Sequence, residues 1–110
     1  MIVSMHVTHT SAGGTAALND VVPSLEEEAA RRLPTMTVVR EYVVVRTCNR
    51  FEVYAATTDN VAVKTYFDSM IRTIVPSTNI SYILEDKDSI RHLFLSLIHI
   101  SEPTRLDVIS

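Results

Sequence analysis

The sequence predicts an α+β domain in which helices pack on one face of a single antiparallel sheet. Several short segments alternate apolar and polar residues, the period of half-buried strands. Between them lie segments with apolar residues at helical spacing, and two of the strand segments are separated by only a short turn. The chain has 110 residues, 46% of them hydrophobic, which is enough for one core of modest size. We therefore expect one domain.

The N-terminal elements are a strand and a broken helical region. Ile2 to His9 nearly alternates apolar and polar residues, which predicts the first strand. The adjacent glycines of the SAGGT segment predict a turn, and a short helical stretch is expected over 16–22. Ser24 and Glu27 have the spacing of a capping box, so they predict a second helix start, and Pro34 ends that helix.

The remaining elements complete a familiar order. Val38 to Thr47 is rich in β-branched residues and predicts a central strand, and Phe51 to Thr57 predicts its hairpin partner. Val61 to Ile74 has helical spacing, and Ile80 to Leu84 predicts a fourth strand. A last helix is expected to begin at a cap formed by Asp86. Its apolar stripe, expected to face the core, is Ile90, Leu93, Phe94 and Leu97. This order is the ferredoxin-like arrangement (βαββαβ) followed by a helix.

The composition excludes several classes of protein. A formal net charge of −3 argues against non-specific binding of nucleic acid, which depends on neutralising phosphates. A single cysteine excludes an internal disulfide and a cysteine-cluster metal site, so no metal is expected, and it fits a reducing compartment. No apolar run approaches the roughly 20 residues of a membrane helix, and the N-terminus lacks the pattern of a signal peptide. We therefore expect a cytoplasmic protein with no membrane association.

The one cysteine, Cys48, lies at the predicted hairpin turn and has two interpretations. A lone cysteine is most often a small buried hydrophobic residue. Here, however, its neighbours are the polar residues Thr47, Asn49 and Arg50. A nearby guanidinium favours the reactive thiolate, and Arg50 can alternatively bind a substrate carboxylate through two hydrogen bonds. The residues alone therefore leave a structural and a nucleophilic cysteine both open.

No histidine adjoins Cys48 in sequence, so a catalytic partner has to come from elsewhere in the fold. His92 is the best candidate, because on a helical wheel it lies away from the apolar stripe of the last helix and faces solvent or a cleft. The alternative is a solvated surface histidine. His6 and His9 lie on or just after the first strand, and we expect structural roles for both.

Three segments resemble one enzyme family, in order and in spacing. TCNRFEVY, from Thr47 to Tyr54, resembles the TCNR-x-E-x-Y signature of the glutamyl-tRNA reductases. VTHTSA resembles the G-x-x-H-K-T-A turn of the same family, with His9, Ser11 and Ala12 in place. SIRHLF resembles the family's A-x-x-H-L-F helix start, with His92 as its histidine. The resemblance spans most of the chain, from Ile2 to Phe94.

The resemblance implies a specific reaction. These enzymes reduce glutamyl-tRNA with NADPH to glutamate-1-semialdehyde, the first committed step of tetrapyrrole (haem) biosynthesis. It implies that Cys48 attacks the aminoacyl ester, releases tRNA and forms a thioester that hydride then reduces. Thr47, Arg50 and Ser11 are then expected to bind the substrate, and His92 to assist near the reacting carbonyl. The implied partners are glutamyl-tRNA, a second copy in the full-length homodimer, and glutamate-1-semialdehyde aminomutase.

The sequence also departs from the family pattern. The segment after Ser11 lacks the proline and the Arg-Glu pair that many members have there. After Phe94 the family pattern stops, and Leu95 to Ser110 resembles translated sequencing-adapter read-through. We therefore expect an incomplete catalytic domain over 1–94 and a non-native tail over 95–110.

These departures bear on function. No G-x-G-x-x-G motif occurs, so we expect the NADPH-binding domain to be absent and the chain to be inactive as a complete reductase. The alternative function is a small ferredoxin-like binding or regulatory module with a structural cysteine.

Overall fold

Five strands form one sheet in the computed structural model, which describes residues 1–9, 14–76, 79–98 and 104–109. The strands are β1 (Ile2–Thr8), β2 (Val39–Thr47), β3 (Arg50–Thr57), β4 (Ile80–Glu85) and β5 (Thr104–Ile109). Their order across the sheet is β4-β1-β3-β2-β5, and every neighbouring pair is antiparallel. The first four strands have the ferredoxin-like order, so the predicted fold class is confirmed.

Two helices, α1 (Gly14–Arg32) and α2 (Asn60–Ile74), cover one face of this sheet and form the core with it. Alternate residues of β1 and β3 point into that core, as the period of a strand requires. The buried sheet residues on this face include Val3, Met5, Val7, Phe51, Val53 and Ala55. Leu18, Leu25, Val63 and Phe67 meet them from the helices. Each fully buried large side chain of this kind contributes about 1.5–3 kcal/mol.

Helix α1 is longer than the sequence predicted. It runs unbroken through Pro23, so the expected helix start at Ser24 is wrong, and Ser24 lies inside the helix. A proline inside a helix removes the hydrogen bond to the carbonyl four residues earlier, which here belongs to Asn19. Asn19 and Pro23 are both exposed, so water can satisfy that carbonyl. The neighbouring apolar residues are buried, and their packing outweighs the local loss.

Helix α2 begins at Asn60, directly after its N-cap residue Asp59. The Asp59 carboxylate accepts a hydrogen bond of 3.2 Å from the backbone N–H of Ala62 and satisfies one of the free donors of the first turn. The helix is tied to α1 by Tyr66, whose hydroxyl donates to Glu28 Oε2 at 2.9 Å. After Ile74 the chain leaves the helix before Pro76, as predicted.

Replacing Tyr66 with phenylalanine is expected to lower the free energy of unfolding by about 1 kcal/mol near neutral pH, because one hydrogen bond to a carboxylate is lost. The Tyr66 hydroxyl holds the pKa of Glu28 below its ordinary value of 4.5. The stabilisation is therefore present above that value and disappears as the pH falls through the lowered pKa of the folded state. Urea unfolding at several pH values measures this difference. In a Glu28→Gln background the effect of Y66F should not vary with acid pH; an unchanged pH dependence there contradicts the assignment.

Helix α3 (Asp86–Ile98) lies against the opposite face of the sheet. The Ser89 hydroxyl is 2.7 Å from that of Ser4, a residue that alternates with the core-facing Val3 and Met5 of β1. Ser89 is fully buried, whereas Ile90 is 54% exposed. The expectation that the apolar stripe of this helix faces the core is therefore wrong for Ile90. The sheet face below α3 is polar, so the polar side of the helix faces the sheet. Polar groups of the helix and of the sheet form hydrogen bonds with each other there.

The start of α3 is a tight turn. Asp86 has a φ of 46°, a conformation that aspartate tolerates better than most residues, and its carboxylate accepts a hydrogen bond of 3.0 Å from the backbone N–H of Ile2. Further on, residues 95–98 continue the helix, and β5 pairs with β2 over Tyr42 to Thr47. The non-native origin of residues 95–110 stays a prediction.

Candidate functional site

The β2–β3 hairpin presents Cys48 at its tip. Only Cys48 and Asn49 separate the two strands. The Thr47 hydroxyl oxygen accepts hydrogen bonds of 3.1 Å from the backbone N–H groups of Asn49 and Arg50. Threonine often stabilises a turn in this way, because its side chain satisfies donors that the ladder leaves unpaired. Thr47 itself is buried, while Cys48 is exposed.

Cys48 is exposed, and this observation bears on its two interpretations. A structural cysteine packs as a small hydrophobic residue, but this thiol lies on the surface. The side chain is therefore accessible to a substrate or to a reagent, as a nucleophilic cysteine has to be. His9 lies close to the same turn, with its Nε2 3.2 Å from Asn49 Oδ1, and it links the end of β1 to the hairpin.

Behind the hairpin, the sheet face that α3 covers carries a group of polar side chains. The register brings His6 of β1 opposite Glu52 of β3 on one side and opposite Tyr82 of β4 on the other. Helix α3 adds Ser89 and His92 from above. We call this group the polar cluster: Ser4, His6, Glu52, Tyr54, Tyr82, Ser89 and His92.

Glu52 is the centre of the polar cluster. Its carboxylate is fully buried, and its Oε2 lies 3.0 Å from His6 Nδ1 and 3.1 Å from His92 Nδ1. Tyr54 donates its hydroxyl hydrogen to the other oxygen, Oε1, at 2.8 Å. Arg50, on the same face of β3, has its Nε 3.8 Å from Oε2 and supplies a compensating positive charge. A buried carboxylate is stable only with such partners.

One assignment of hydrogens satisfies these contacts. If both imidazoles carry their hydrogen on Nδ1, His6 donates to Glu52 Oε2 at 3.0 Å and His92 donates to the Tyr54 hydroxyl at 3.1 Å. The Nε2 atoms then accept, from Ser4 at 2.7 Å in the case of His6 and from Tyr82 at 3.0 Å in the case of His92. Ser89 completes the chain by donating to Ser4 at 2.7 Å. The polar cluster is thus one connected hydrogen-bond network, which fixes both rings in position.

The environment of His92 favours its neutral form. Burial lowers the pKa of this imidazole below its ordinary value, the Glu52 carboxylate raises it, and His6 and Arg50 lower it further. The side chain keeps 30% of its surface exposed, unlike His6 and Glu52, which have none. His92 is therefore the member of the polar cluster with a neutral ring and access to solvent. Burial and the Glu52 carboxylate also raise the pKa of Tyr82, which stays a hydrogen-bond donor.

The structure groups the predicted site residues in two places. Thr47, Cys48 and Arg50 lie together at the hairpin. His92 instead contacts Tyr54 and Tyr82, and its expected position against the reacting thiol has no direct hydrogen bond to support it among the described residues. Glu52 lies four residues from Cys48 in sequence, inside strand β3. Glu52 and its neighbour Arg50 connect the two groups. Ser11 lies outside the described residues.

Several residues of the polar cluster were not expected from the sequence. Glu52 and Tyr54 belong to the recognised motif, but no role was inferred for either. The sequence signal for them was the spacing of Arg50, Glu52 and Tyr54. These residues are two positions apart, which places all three on one face of a strand. His6, for which a structural role was expected, is fully buried and hydrogen-bonded. The part played by Tyr82 depends on the pairing of β4 with β1, which sequence alone does not specify.

Fold and site together define a class of protein: a ferredoxin-like α+β domain with an exposed thiol at a hairpin tip and a buried polar cluster behind it. A family model described as the N-terminal domain of glutamyl-tRNA(Glu) reductase matches residues 6–96. The chain belongs to this family, whose enzymes act in tetrapyrrole biosynthesis. No match was found among curated proteins or among solved structures. Among the described residues, no helix is long and apolar enough to cross a membrane.

Proposed function

We propose that this chain carries out the thioester-forming stage of glutamyl-tRNA reduction, with Cys48 as the nucleophile. The observation that carries the proposal is the exposed thiol, held at the tip of a fixed turn inside the family-matched region. The Cys48 sulfur attacks the carbonyl carbon of the ester that joins glutamate to tRNA. A carbon–sulfur bond forms, the bond to the ribose oxygen breaks, and the tRNA leaves with a free hydroxyl group.

The neighbouring residues have complementary roles in this proposal. Arg50 binds a carboxylate of the glutamyl group, because a guanidinium and a carboxylate form paired hydrogen bonds. Thr47 holds the turn and Ser11 contributes a further substrate contact. His92 assists through the polar cluster, which connects it to Arg50 by way of Glu52. The polar cluster supports this role because it orients the imidazole without occupying the hairpin tip.

The complete reaction also needs NADPH, which supplies a hydride and leads to glutamate-1-semialdehyde. The residues present do not fit this cofactor: the chain has two glycines, Gly13 and Gly14, and no glycine-rich dinucleotide motif. The proposal therefore covers thioester formation and assigns hydride transfer to a separate domain of the enzyme. Its partners are glutamyl-tRNA, a second copy of the full-length enzyme and the aminomutase that takes the aldehyde, in the cytoplasm.

The chemistry at Cys48 has a direct test. We expect intact-protein mass spectrometry to show one added glutamyl group after incubation with glutamyl-tRNA, and hydroxylamine to remove it, as it cleaves thioesters. Prior alkylation of Cys48 should prevent the addition. We also expect the native thiol to react with iodoacetamide near neutral pH at least as fast as a free model thiol.

Two results would count against the proposal. A thiol that reacts only after unfolding would favour the small binding module with a structural cysteine. A glutamyl group found on a residue other than Cys48 would show that the nucleophile is wrongly assigned. Uncharged tRNA serves as the control, because it offers the same surface without the ester.

A further inference from the structure

We propose that His6, Glu52 and His92 form a binding site for a divalent transition-metal ion such as Zn²⁺. One nitrogen or oxygen atom from each of these side chains lies within 4.8 Å of the others. Glu52 Oε2 is 3.0 Å from His6 Nδ1 and 3.1 Å from His92 Nδ1. The three residues come from β1, β3 and α3, so the fold rather than a local motif brings them together. The geometry of these three side chains supports the site without the proposed thioester chemistry at Cys48, although His92 takes part in both.

The spacing of the three atoms suits a tetrahedral ion. Zinc binds histidine nitrogen and carboxylate oxygen at about 2.0–2.2 Å, so neighbouring ligand atoms lie about 3.3 Å apart around it. The two pairs that include Glu52 are already near that value. The two histidine nitrogens have to approach from at most 4.8 Å, a change that small rotations of the rings supply. Two imidazoles and one carboxylate are typical ligands of Zn²⁺, whereas Mg²⁺ and Ca²⁺ prefer oxygen alone.

Hydroxyl groups outside the three ligands support both histidines. His6 Nε2 is 2.7 Å from Ser4 Oγ, and His92 Nε2 is 3.0 Å from the Tyr82 hydroxyl. A hydroxyl accepts as well as donates, so both can receive an N–H from Nε2 when Nδ1 binds the ion. A histidine that binds a metal almost always donates its other ring N–H to a neighbouring acceptor. In the polar cluster, Ser4 is that acceptor for His6 and Tyr82 is that acceptor for His92.

The exposure of the three ligands shows how the ion enters, and the charge of Arg50 indicates which fourth ligand completes its coordination. His6 and Glu52 are fully buried and His92 is 30% exposed, so access is from the side of His92. Arg50, with its Nε 3.8 Å from Glu52 Oε2, adds a positive charge beside the ion. That charge favours an anionic fourth ligand, a hydroxide or a carboxylate, over a neutral water. The site therefore has the three-ligand form that leaves one position open.

The test is a titration of the chelator-treated chain with Zn²⁺ by calorimetry and with Co²⁺ by visible absorption. We expect one equivalent to bind and Co²⁺ to show the intense bands of tetrahedral coordination. H6Q and H92Q should each weaken binding at least about a hundredfold, since loss of an outer hydrogen bond alone costs 10–100-fold. H9Q, which removes a histidine outside the site, and C48S, which removes the only thiol, should bind as the unmodified chain does.

A second measurement uses the unmodified chain and does not depend on the folding of variants. Zinc should shift the ring-nitrogen NMR signals of His6 and His92 at Nδ1 and leave those of His9 in place. Shifts at His9 alone, binding lost with C48S, or the absence of saturable one-to-one binding would each overturn the proposal. So would H6Q and H92Q variants that remain folded and bind zinc unchanged.

Discussion

The Cys48→Ser variant is expected to lose transfer of the glutamyl group from tRNA to the protein, by at least about a thousandfold in rate. A thiolate attacks an ester readily, whereas a serine hydroxyl stays protonated near neutral pH and is a far weaker nucleophile. Cys48 is exposed, so the replacement should change the free energy of unfolding by no more than about 0.5 kcal/mol. Loss of transfer in a folded variant then reports on chemistry alone. Release of free tRNA and mass of the protein are the two measurements.

A matched control is S69A, which changes an exposed residue of α2 far from the hairpin in sequence. It should transfer the glutamyl group as the unmodified chain does. If C48S accumulates the adduct at the rate of S69A, the nucleophile lies elsewhere and the thioester proposal is wrong. Unfolding curves of both variants separate this outcome from a loss of structure.

The Phe67→Ala variant is expected to lower the free energy of unfolding by about 3–5 kcal/mol. Phe67 is fully buried, and it packs from α2 onto the core-facing side of the sheet. Truncation removes its apolar contacts and leaves a cavity that the surrounding side chains fill only in part. Because small domains have a net stability of about 5–15 kcal/mol, this single change removes a large share of it. Equilibrium urea unfolding, followed by circular dichroism, measures the difference.

Val61 provides the comparison on the same helix, because its side chain is 72% exposed. V61A should stay within about 0.5 kcal/mol of the unmodified chain. A loss of less than 1 kcal/mol for F67A would mean that α2 does not pack on the sheet as described. Equal losses for both variants would show that burial is not the cause, since alanine has the higher helix propensity at both positions and does not weaken the helix itself.

The strands were predictable because their patterns are local. Alternation identified β1 and β3, and β-branched residues identified β2, with ends that differ from the observed ones by one residue at most. The short hairpin around Cys48 followed from the three-residue gap predicted between them, which in the structure is shortened to Cys48 and Asn49. The order of the first four strands then followed from the ferredoxin-like arrangement, since a right-handed crossover leaves few alternatives. Strand β5 was not predicted.

Helix α1 and the orientation of α3 were not predictable in the same way. Local signals at Pro23 and Ser24 indicated a helix start, but the burial of Leu18, Val21 and Val22 keeps the chain helical across them. For α3 the apolar stripe suggested one inward face. The polar sheet face beneath α3 decided its orientation, and that face combines Tyr82 with residues of β1 and β3 that are more than 30 positions away in sequence.

The sequence predicted the hairpin residues of the candidate site and, of the polar cluster behind them, His92 alone. Cys48, Thr47 and Arg50 adjoin in sequence, so one motif located them. The polar cluster joins residues of β1, β3, β4 and α3, and the His6–Glu52 contact spans 46 positions. Cross-strand register decides such a contact, and no local pattern reports it. Glu52 was visible as a charged residue in a strand, which is a sign of a buried, paired carboxylate.

The pairing of β5 with β2 has a consequence for handling the protein. The family match ends at residue 96, and β5 lies beyond it at Thr104–Ile109. Without β5, the valine-rich β2 becomes an open edge whose main-chain N–H and C=O groups are free to pair with a strand of another molecule. A shortened version limited to the family region therefore exposes an aggregation surface. In this structure β5 covers that edge of the sheet.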